Sequence, residues 1–546
     1  MPEGYVPRKT KYIITTGTVM SGLGKGIFSS SLAQLLQARG LTVAPIKLEG
    51  YLNFDSGTLN PFRHGEVFVL DDGLECDMDL GTYERFLHLD LTKDNFMTAG
   101  KLFSTILDRE RKGKYLGRDV QFIPHVTGEI KRVLRALALK KKADVVLVEI
   151  GGTVGDLENS YYLEAMRELN YEEGQGNVCF VTLTYILEPG FLGEQKSKAA
   201  QLGIKHLLSL GIQPHIIACR SENPVTEKVR EKISIFSNVP LERVISSHDV
   251  KSIYHIPLAL KAAKLDDEVI KMLNLKAGAD SGHIKKWEAF VNNILHPKDG
   301  ITIGITGKYT GLRDSYASII KALEHAGGHE AVKVNIKWIE TTDVERGPAS
   351  VAEAMKGLSG IIVPGGFGKR GTEGKIACIQ YAREHNLPYL GLCLGFQMAV
   401  IEYARNVCGL EDANTTEVEP ETKHPVIDIL PEQKALESLG GTMRLGGHDV
   451  EIKKDTQAWE LYGKKETIRE RFRHRYECNP DYLDRLKEKG LVFSGKAPKE
   501  QIMQILELPG HPFFIGTQFH PEFTSKPLTS HPLYDGFVKA AKGHKV

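Results

Sequence analysis

Short β-branched runs bounded by glycine alternate with helical patterns along this chain, and the alternation starts twice. The first series reads as strands over Lys11–Thr16, Thr42–Leu48, Asp144–Ile150, Val178–Leu183 and His215–Ala218, with helices over Ile27–Arg39, Thr127–Lys140 and Gln195–Leu210. The second restarts after Gly300, with strands over Ile301–Thr306, Lys333–Trp338, Gly360–Val363 and Tyr389–Leu392 and a helix over Ser315–Ala326. Strands that alternate with helices pair in parallel through crossovers. Each series therefore predicts an α/β domain with a doubly wound, mostly parallel sheet covered on both faces. The small, polar stretch Lys276–Gly282 and a predicted helix over His283–Leu295 place a linker at 276–299, between a first domain 1–275 and a second 300–546. Thr415–Gly441 and Asp455–Thr467 read as the loop-like parts of the second half.

Charge and cysteine usage narrow the function classes. The 546 residues carry 70 basic and 69 acidic side chains, so bulk charge recruits neither nucleic acid nor a membrane. No run of apolar residues is long enough to span a bilayer, and the first residues lack the apolar core of a secretory signal. The seven cysteines are odd in number and widely spaced, with no CxxC pair. That argues against a disulfide framework or a cysteine zinc site and predicts a reducing, cytoplasmic setting.

Thr15-Thr-Gly-Thr-Val-Met-Ser-Gly-Leu-Gly-Lys-Gly26 joins a predicted strand to a predicted helix. Gly17, Gly22, Gly24 and Gly26 allow backbone N–H groups to surround phosphate oxygens, the helix presents its positive end, and Lys25 can reach the outer phosphates. Gly26 stands where a P-loop normally has the Ser or Thr that binds magnesium, so other groups must hold the metal. Carboxylates at two strand ends are candidates: Asp79, closing an acidic stretch from Asp71, and Glu149, at the end of a buried apolar run.

The second half carries a different chemistry. Pro388-Tyr-Leu-Gly-Leu-Cys-Leu-Gly-Phe-Gln397 reads as a strand turning sharply into a helix at Cys393, which exposes the thiol at the sheet top and favours thiolate. Phe519-His-Pro-Glu522 offers His520 as base and Glu522 to orient it. Val363-Pro-Gly-Gly-Phe-Gly368 offers backbone N–H groups at Gly366, with Leu394, for an oxyanion.

These segments carry a resemblance over essentially the whole chain. Pro-Gly-Gly-Phe-Gly, Gly-Leu-Cys-Leu-Gly-Phe-Gln and Phe-His-Pro-Glu make residues 300–546 similar to a class I glutamine amidotransferase domain. Residues 1–275 resemble the P-loop-type amidoligase (synthetase) domain of the CTP synthases, through Ser21-Gly-Leu-Gly-Lys-Gly, His64-Gly-Glu-Val-Phe-Val, Asp77-Met-Asp-Leu-Gly, Tyr83-Glu-Arg-Phe, Val148-Glu-Ile-Gly-Gly-Thr-Val-Gly-Asp-Leu-Glu158 and Ser252-Ile-Tyr-His-Ile-Pro. Gly441-Thr-Met-Arg-Leu-Gly and Arg473-His-Arg-Tyr-Glu477 fit the same family.

The resemblance implies ATP-dependent amination of UTP to CTP through a 4-phosphorylated intermediate, with ammonia from glutamine delivered along an enclosed passage. It assigns Gly22, Leu23, Gly24, Lys25, Gly26 and Ile27 to the ATP phosphates, and His248, Asp249 and Val250 to its base. Asp79, also an ATP contact, and Glu149 would hold Mg2+. Ser21, Asp156, Leu157, Glu158, Lys196, Ser197, Lys198, Ala199, Ala200, Gln201 and Lys232 would contact UTP or the inhibitor CTP. Gly366, Leu394, Gly395, Phe396, Gln397, Glu417 and Arg475 would contact glutamine, the Arg475 fork suiting a carboxylate. It further implies GTP as activator and a homotetramer able to form filaments. Two stretches depart from the family pattern: Glu49-Gly50 stands where Asp-Pro is usual, and Gln195-Lys-Ser-Lys-Ala-Ala-Gln201 has Ser and Ala-Ala where Thr and Pro-Thr are common. The region before Gly440 is short, which predicts that a surface hairpin is missing. The alternatives are another P-loop amidoligase with a glutaminase domain, and a nucleotide-switched scaffold; intact Cys393, His520 and Glu522 oppose the latter.

Overall fold

A computed structural model describes residues 1–190, 193–307, 313–366, 368–429 and 443–544. The expected hairpin loss near Gly440, and Gly441 itself, lie outside the described residues. The described chain divides into two compact units, Met1–Thr58 with Asp79–Val291, and Leu59–Met78 with Asn292–Val546.

In the first unit every strand expected from sequence forms. The strands are β1 (Lys11–Gly17), β2 (Val43–Glu49), β3 (Phe96–Thr98), β4 (Val145–Ile150), β5 (Val178–Tyr185), β6 (Ile216–Ser221) and β7 (Val244–His248). They make one sheet in the order β3-β2-β4-β1-β5-β6-β7, with every pairing parallel. Ile14, Ile46, Val148 and Phe180 are buried beneath helices such as Thr127–Lys141. A two-face-covered sheet requires such uninterrupted apolar strands. The helix expected from Gln195 starts at Lys198, because Lys196 pairs instead with Leu187 in an isolated bridge.

The helix His283–Leu295 forms as expected, and its first part belongs to this unit. Trp287 is fully buried, donates from Nε1 to the Tyr254 carbonyl at 2.7 Å, and packs on Phe86 and Phe290.

In the second unit β8 (Asp299–Gly307), β9 (Val332–Glu340), β10 (Gly360–Val363), β11 (Tyr389–Leu392), β12 (Arg444–Ile452), β13 (Thr467–His474), β14 (Val492–Lys496), β15 (Met503–Glu507) and β16 (Phe514–Thr517) form a sheet ordered β9-β8-β10-β11-β16-β15-β14-β12-β13. The pairings from β9 to β16 are parallel and the remainder antiparallel. The links from β14 to β15 and from β15 to β16 are too short for a crossover helix. The helix after β8 is Ala317–Glu330, longer than expected because Gly327 lets it lie against the Val332 carbonyl. Two stretches read as loops contain structure: helix Gln457–Leu461, capped by the Thr456 hydroxyl, and strand His424–Asp428.

Leu59–Met78 sits in the first series by sequence but packs with the second unit. It forms a hairpin, Val67–Val69 with Glu75–Asp77, whose Phe68 is fully buried against Phe523. An excursion this short has no periodicity of its own to announce where it docks.

Replacing Trp287 by Ala should destabilise the first unit by about 3–5 kcal/mol through cavity formation. Urea denaturation checks this; an unchanged midpoint would mean the helix is a passive linker.

Candidate functional site

The first centre gathers at the carboxyl ends of parallel strands, where α/β sheets bind ligands. The register aligns Lys47 of β2 and Thr15 of β1 with Glu149 of β4. The buried Lys47 ammonium therefore meets Glu149 at 3.8 Å, Glu49 at 3.2 Å, and Asp79 directly. Asp79 enters from the helix Met78–Leu87, and Tyr83 of the same helix donates to Glu149 at 3.0 Å. A Cβ on Gly26 would lie 2.8 Å from Asp79 Oδ1. That is why glycine replaces the usual Ser or Thr: a carboxylate occupies the place of the hydroxyl.

Lys25 opens the helix Lys25–Ala38, after Gly24 in the left-handed region at φ 76°. Its ammonium donates to the Gly152 carbonyl at 2.6 Å. Burial pushes the Lys25 pKa down, Glu149 pulls it up, and Lys47 adds to the lowering. Bound phosphate would favour the charged form. Asp79 and Glu149 converge on one cation, Lys47, so a divalent ion with phosphate and water ligands suits them; Mg2+ takes one or two carboxylates in this way. Among the described residues no larger His/Cys/Asp/Glu group is arranged to hold a metal.

Gly22, Leu23, Gly24 and Ile27 line one side of a cleft that His248, Asp249, Val250 and Arg220 line on the other. Arg220 went unnoticed in the sequence, where it is one arginine in an ordinary strand. Its guanidinium holds Asp249 at 2.7 Å and the Ser247 carbonyl, shaping the cleft. Ser21, on the same loop, is exposed.

The positions expected at the pyrimidine nucleotide fall in two groups. Asp156 accepts from the Thr153 amide at 2.7 Å, Leu157 is exposed, and Glu158 lies against Gly50, where a Cβ would stand 2.9 Å from its Cγ. Gly50 thus admits the Asp156–Asn159 turn, and Glu49 reaches Gly151. In the other group Ser197 precedes the helix Lys198–Ser209 and its hydroxyl accepts from Gln201 at 3.1 Å. Ala199 lies in the first turn of that helix and Ala200 is buried in it. Lys196 pairs with Glu194, whose carboxyl is held low by Lys196 and also feels Lys228 and Lys232. Lys228 and Lys232 thus lie within electrostatic reach of the carboxylate that Lys196 pairs with.

The second centre lies where three adjacent parallel strands end. After β11 comes Cys393, after β10 the turn Pro364-Gly-Gly366, and after β16 Gln518-Phe-His520. Cys393 sits at φ 50°, ψ −99°, a strained elbow capping the helix Leu394–Asn406. Its amide donates to the Thr517 carbonyl at 2.7 Å and its thiol faces the Arg473 carbonyl at 3.7 Å. His520 Nδ1 and Glu522 Oε1 are 2.7 Å apart in a buried pair. Burial disfavours the imidazolium, but Glu522 and Cys393 outweigh it and raise the His520 pKa to about 10. Gly365 passes so close that a Cβ would stand 3.0 Å from the His520 ring and 3.5 Å from Cys393.

Gly366 lies near Leu394, which opens the following helix. Glu417 accepts from the Gly368 amide at 2.9 Å, bracing the turn, while Tyr476 feels both Glu417 and Arg475. Gly395 packs against the Val363 carbonyl and Phe396 is core. The Gln397 amide is committed to the Tyr476 carbonyl at 3.0 Å and Gln518 at 3.2 Å. Gln518, unnoticed in sequence, donates to the Cys393 sulfur at 3.6 Å. Its position two residues before His520 was the available signal.

A thiol on a strained elbow, a raised imidazole and a glycine turn define a cysteine amidohydrolase centre, and the glycine loop with its carboxylates defines a nucleotide-binding synthetase. The two together are the parts of a glutamine-dependent ligase. Residues 11–275 match the family description "CTP synthase N-terminus", and residues 312–540 match "Glutamine amidotransferase class-I". The chain is 52% identical over 537 residues to the CTP synthase of Pyrococcus abyssi, covering 98% of both chains. It is 51% identical over 536 residues to that of Caldanaerobacter subterraneus, covering 98% of this chain and 99% of that one. The chain belongs to the CTP synthase family.

Because the His520 pKa is raised from 6.5 to about 10, its contribution to stability is full below pH 6.5 and lost as pH rises toward 10. The melting temperature should therefore fall between pH 7 and 10 more steeply in the parent protein than in His520→Gln. Parallel slopes in calorimetry would contradict the buried imidazolium.

Proposed function

We infer that this chain aminates UTP to CTP, consuming ATP and taking ammonia from glutamine, with the two chemistries carried by separate sets of residues. The observation that carries the reading is the Cys393–His520–Glu522 arrangement in a chain that also holds the Lys25 loop facing Asp79 and Glu149. The thiolate of Cys393 attacks the glutamine side-chain carbonyl, and amides of Gly366 and Leu394 receive the oxyanion. His520, resting as imidazolium, gives its proton to the departing ammonia. It then takes one from the water that opens the thioester, while Glu522 holds the ring in place. Arg475 and Glu417 suit the α-carboxylate and α-amine of glutamine.

At the other centre, Lys25 and Lys47 neutralise the phosphoryl group passing from ATP to the O4 of UTP. Asp79 and Glu149 would hold Mg2+, which would supply further charge neutralisation. The 4-phosphorylated pyrimidine then accepts ammonia at C4 and loses phosphate. The adenine cleft is the one formed by Arg220 and His248–Val250, and the lysines around Glu194 suit the UTP triphosphate. We assign the synthetase part to 1–275 and the glutaminase to 300–546, joined by 276–299, with Leu59–Met78 a synthetase segment lodged in the glutaminase unit. GTP activation, CTP inhibition and a homotetramer belong to the same reading, as does a cytoplasmic location. Seven free cysteines agree with the last. Among the described residues no helix is long and apolar enough to cross a membrane.

Cys393→Ala should abolish glutamine-dependent CTP formation and leave ammonia-dependent formation within about twofold, whereas Lys25→Ala should lower both at least about a hundredfold. An assay of UTP amination with each nitrogen source decides. If a folded Cys393→Ala loses both activities, the division of labour is wrong. Gly26→Ala, whose new methyl meets Asp79, should weaken ATP binding about tenfold by calorimetry.

A further inference from the structure

The excursion Leu59–Met78 touches the residues that hold the glutaminase centre. Phe68 meets Phe523 edge-on at 5.0 Å between ring centroids, and Phe523 stacks on His520 at 4.9 Å with planes 15° apart. Phe68 is fully buried and Phe523 nearly so, so neither ring can shift without moving the other.

A second connection runs through β13. The His520 amide donates to the Arg471 carbonyl at 2.9 Å, and the Cys393 thiol faces the Arg473 carbonyl. Three alternate arginines of this strand grip the excursion. Arg469 forks onto Asp71, Arg471 donates to the Val69 carbonyl at 3.1 Å, and Arg473 donates to Glu75 at 2.6 Å. The Arg473–Glu75 pair is largely shielded, where an ion pair is screened least. The far end of the excursion is not free either. Strand Glu75–Asp77 runs without a break into the helix Met78–Leu87, whose second residue is Asp79.

We propose that Phe68 and Glu75 are positioning residues for the glutaminase histidine, and that they carry the state of the nucleotide centre at Asp79 to His520 along the excursion. The inference rests on the reading of Cys393 and His520 as nucleophile and base. Phe68 and Glu75 are not themselves among the glutamine contacts named above; their loss alters alignment for proton transfer and leaves substrate binding intact.

The test uses full-length Phe68→Leu, Glu75→Gln and Glu75→Asp, with Cys393→Ala as reference. Glutamine-hydrolysis kcat should fall about tenfold in Phe68→Leu and Glu75→Gln with KM unchanged. Ammonia-dependent CTP formation should stay within about twofold, showing that the fold and the nucleotide centre survive. Glu75→Asp, which keeps the charge, should recover most of the loss. ATP with UTP should change hydrolysis kcat in the parent protein and have little effect in Glu75→Gln. Unchanged hydrolysis, an equal loss of both activities, or the same nucleotide response in parent and variant would overturn the inference. Glutamine-dependent synthesis surviving in Cys393→Ala would instead overturn the nucleophile assignment, and the inference with it.

Discussion

The Lys47 ammonium, buried among Glu49, Asp79 and Glu149, is the interaction on which the first centre depends. An isolated buried charge is too costly to keep, so each of these groups is tolerable only beside the others. The parallel register provides two members, since it sets Lys47 directly across from Glu149. The helix Met78–Leu87 provides Asp79, and that carboxylate in turn requires glycine at position 26. The phosphate loop, two strand ends and one helix start are thereby locked into a single arrangement, with Lys25 close enough to feel all of it.

The second centre is built on strain and burial in place of a charge knot. A non-glycine residue at φ 50° costs on the order of 1–3 kcal/mol and persists only where its surroundings leave no alternative. Here the Thr517 carbonyl receives the Cys393 amide, and Gly395 presses on the Val363 carbonyl. The imidazolium of His520 survives burial because Glu522 and the thiol compensate it. Both centres thus place unfavourable groups where neighbouring strands end, and in both the sheet supplies the rigidity.

Much of this was legible in the chain. Cys393, His520 and Glu522 were readable because each stands in a short motif whose spacing is itself the geometry: an elbow, and a base two residues from its orienter. Lys25 and Gly24 were readable for the same reason. Arg220, Gln518 and Lys228 were not, because their roles come from neighbours brought in by other strands and helices. The excursion Leu59–Met78 lies in the first series by sequence and docks on the second unit. Its contacts with Phe523 and Arg473 span some four hundred residues, and no local pattern encodes a docking partner at that distance. Gly50, in sequence a departure from the family pattern, leaves the space that the Glu158 and Asn159 side chains fill.

By itself, the sequence determined the two α/β series, the phosphate loop and the cysteine elbow. Period, glycine placement and short-range spacing act within a few residues and survive without tertiary context. The tertiary structure decided which carboxylates meet Lys47, why residue 26 must be glycine, and that a segment of the first series is held on the strand behind Cys393 and His520. Those outcomes depend on register and packing between distant elements, which are properties of the folded chain alone.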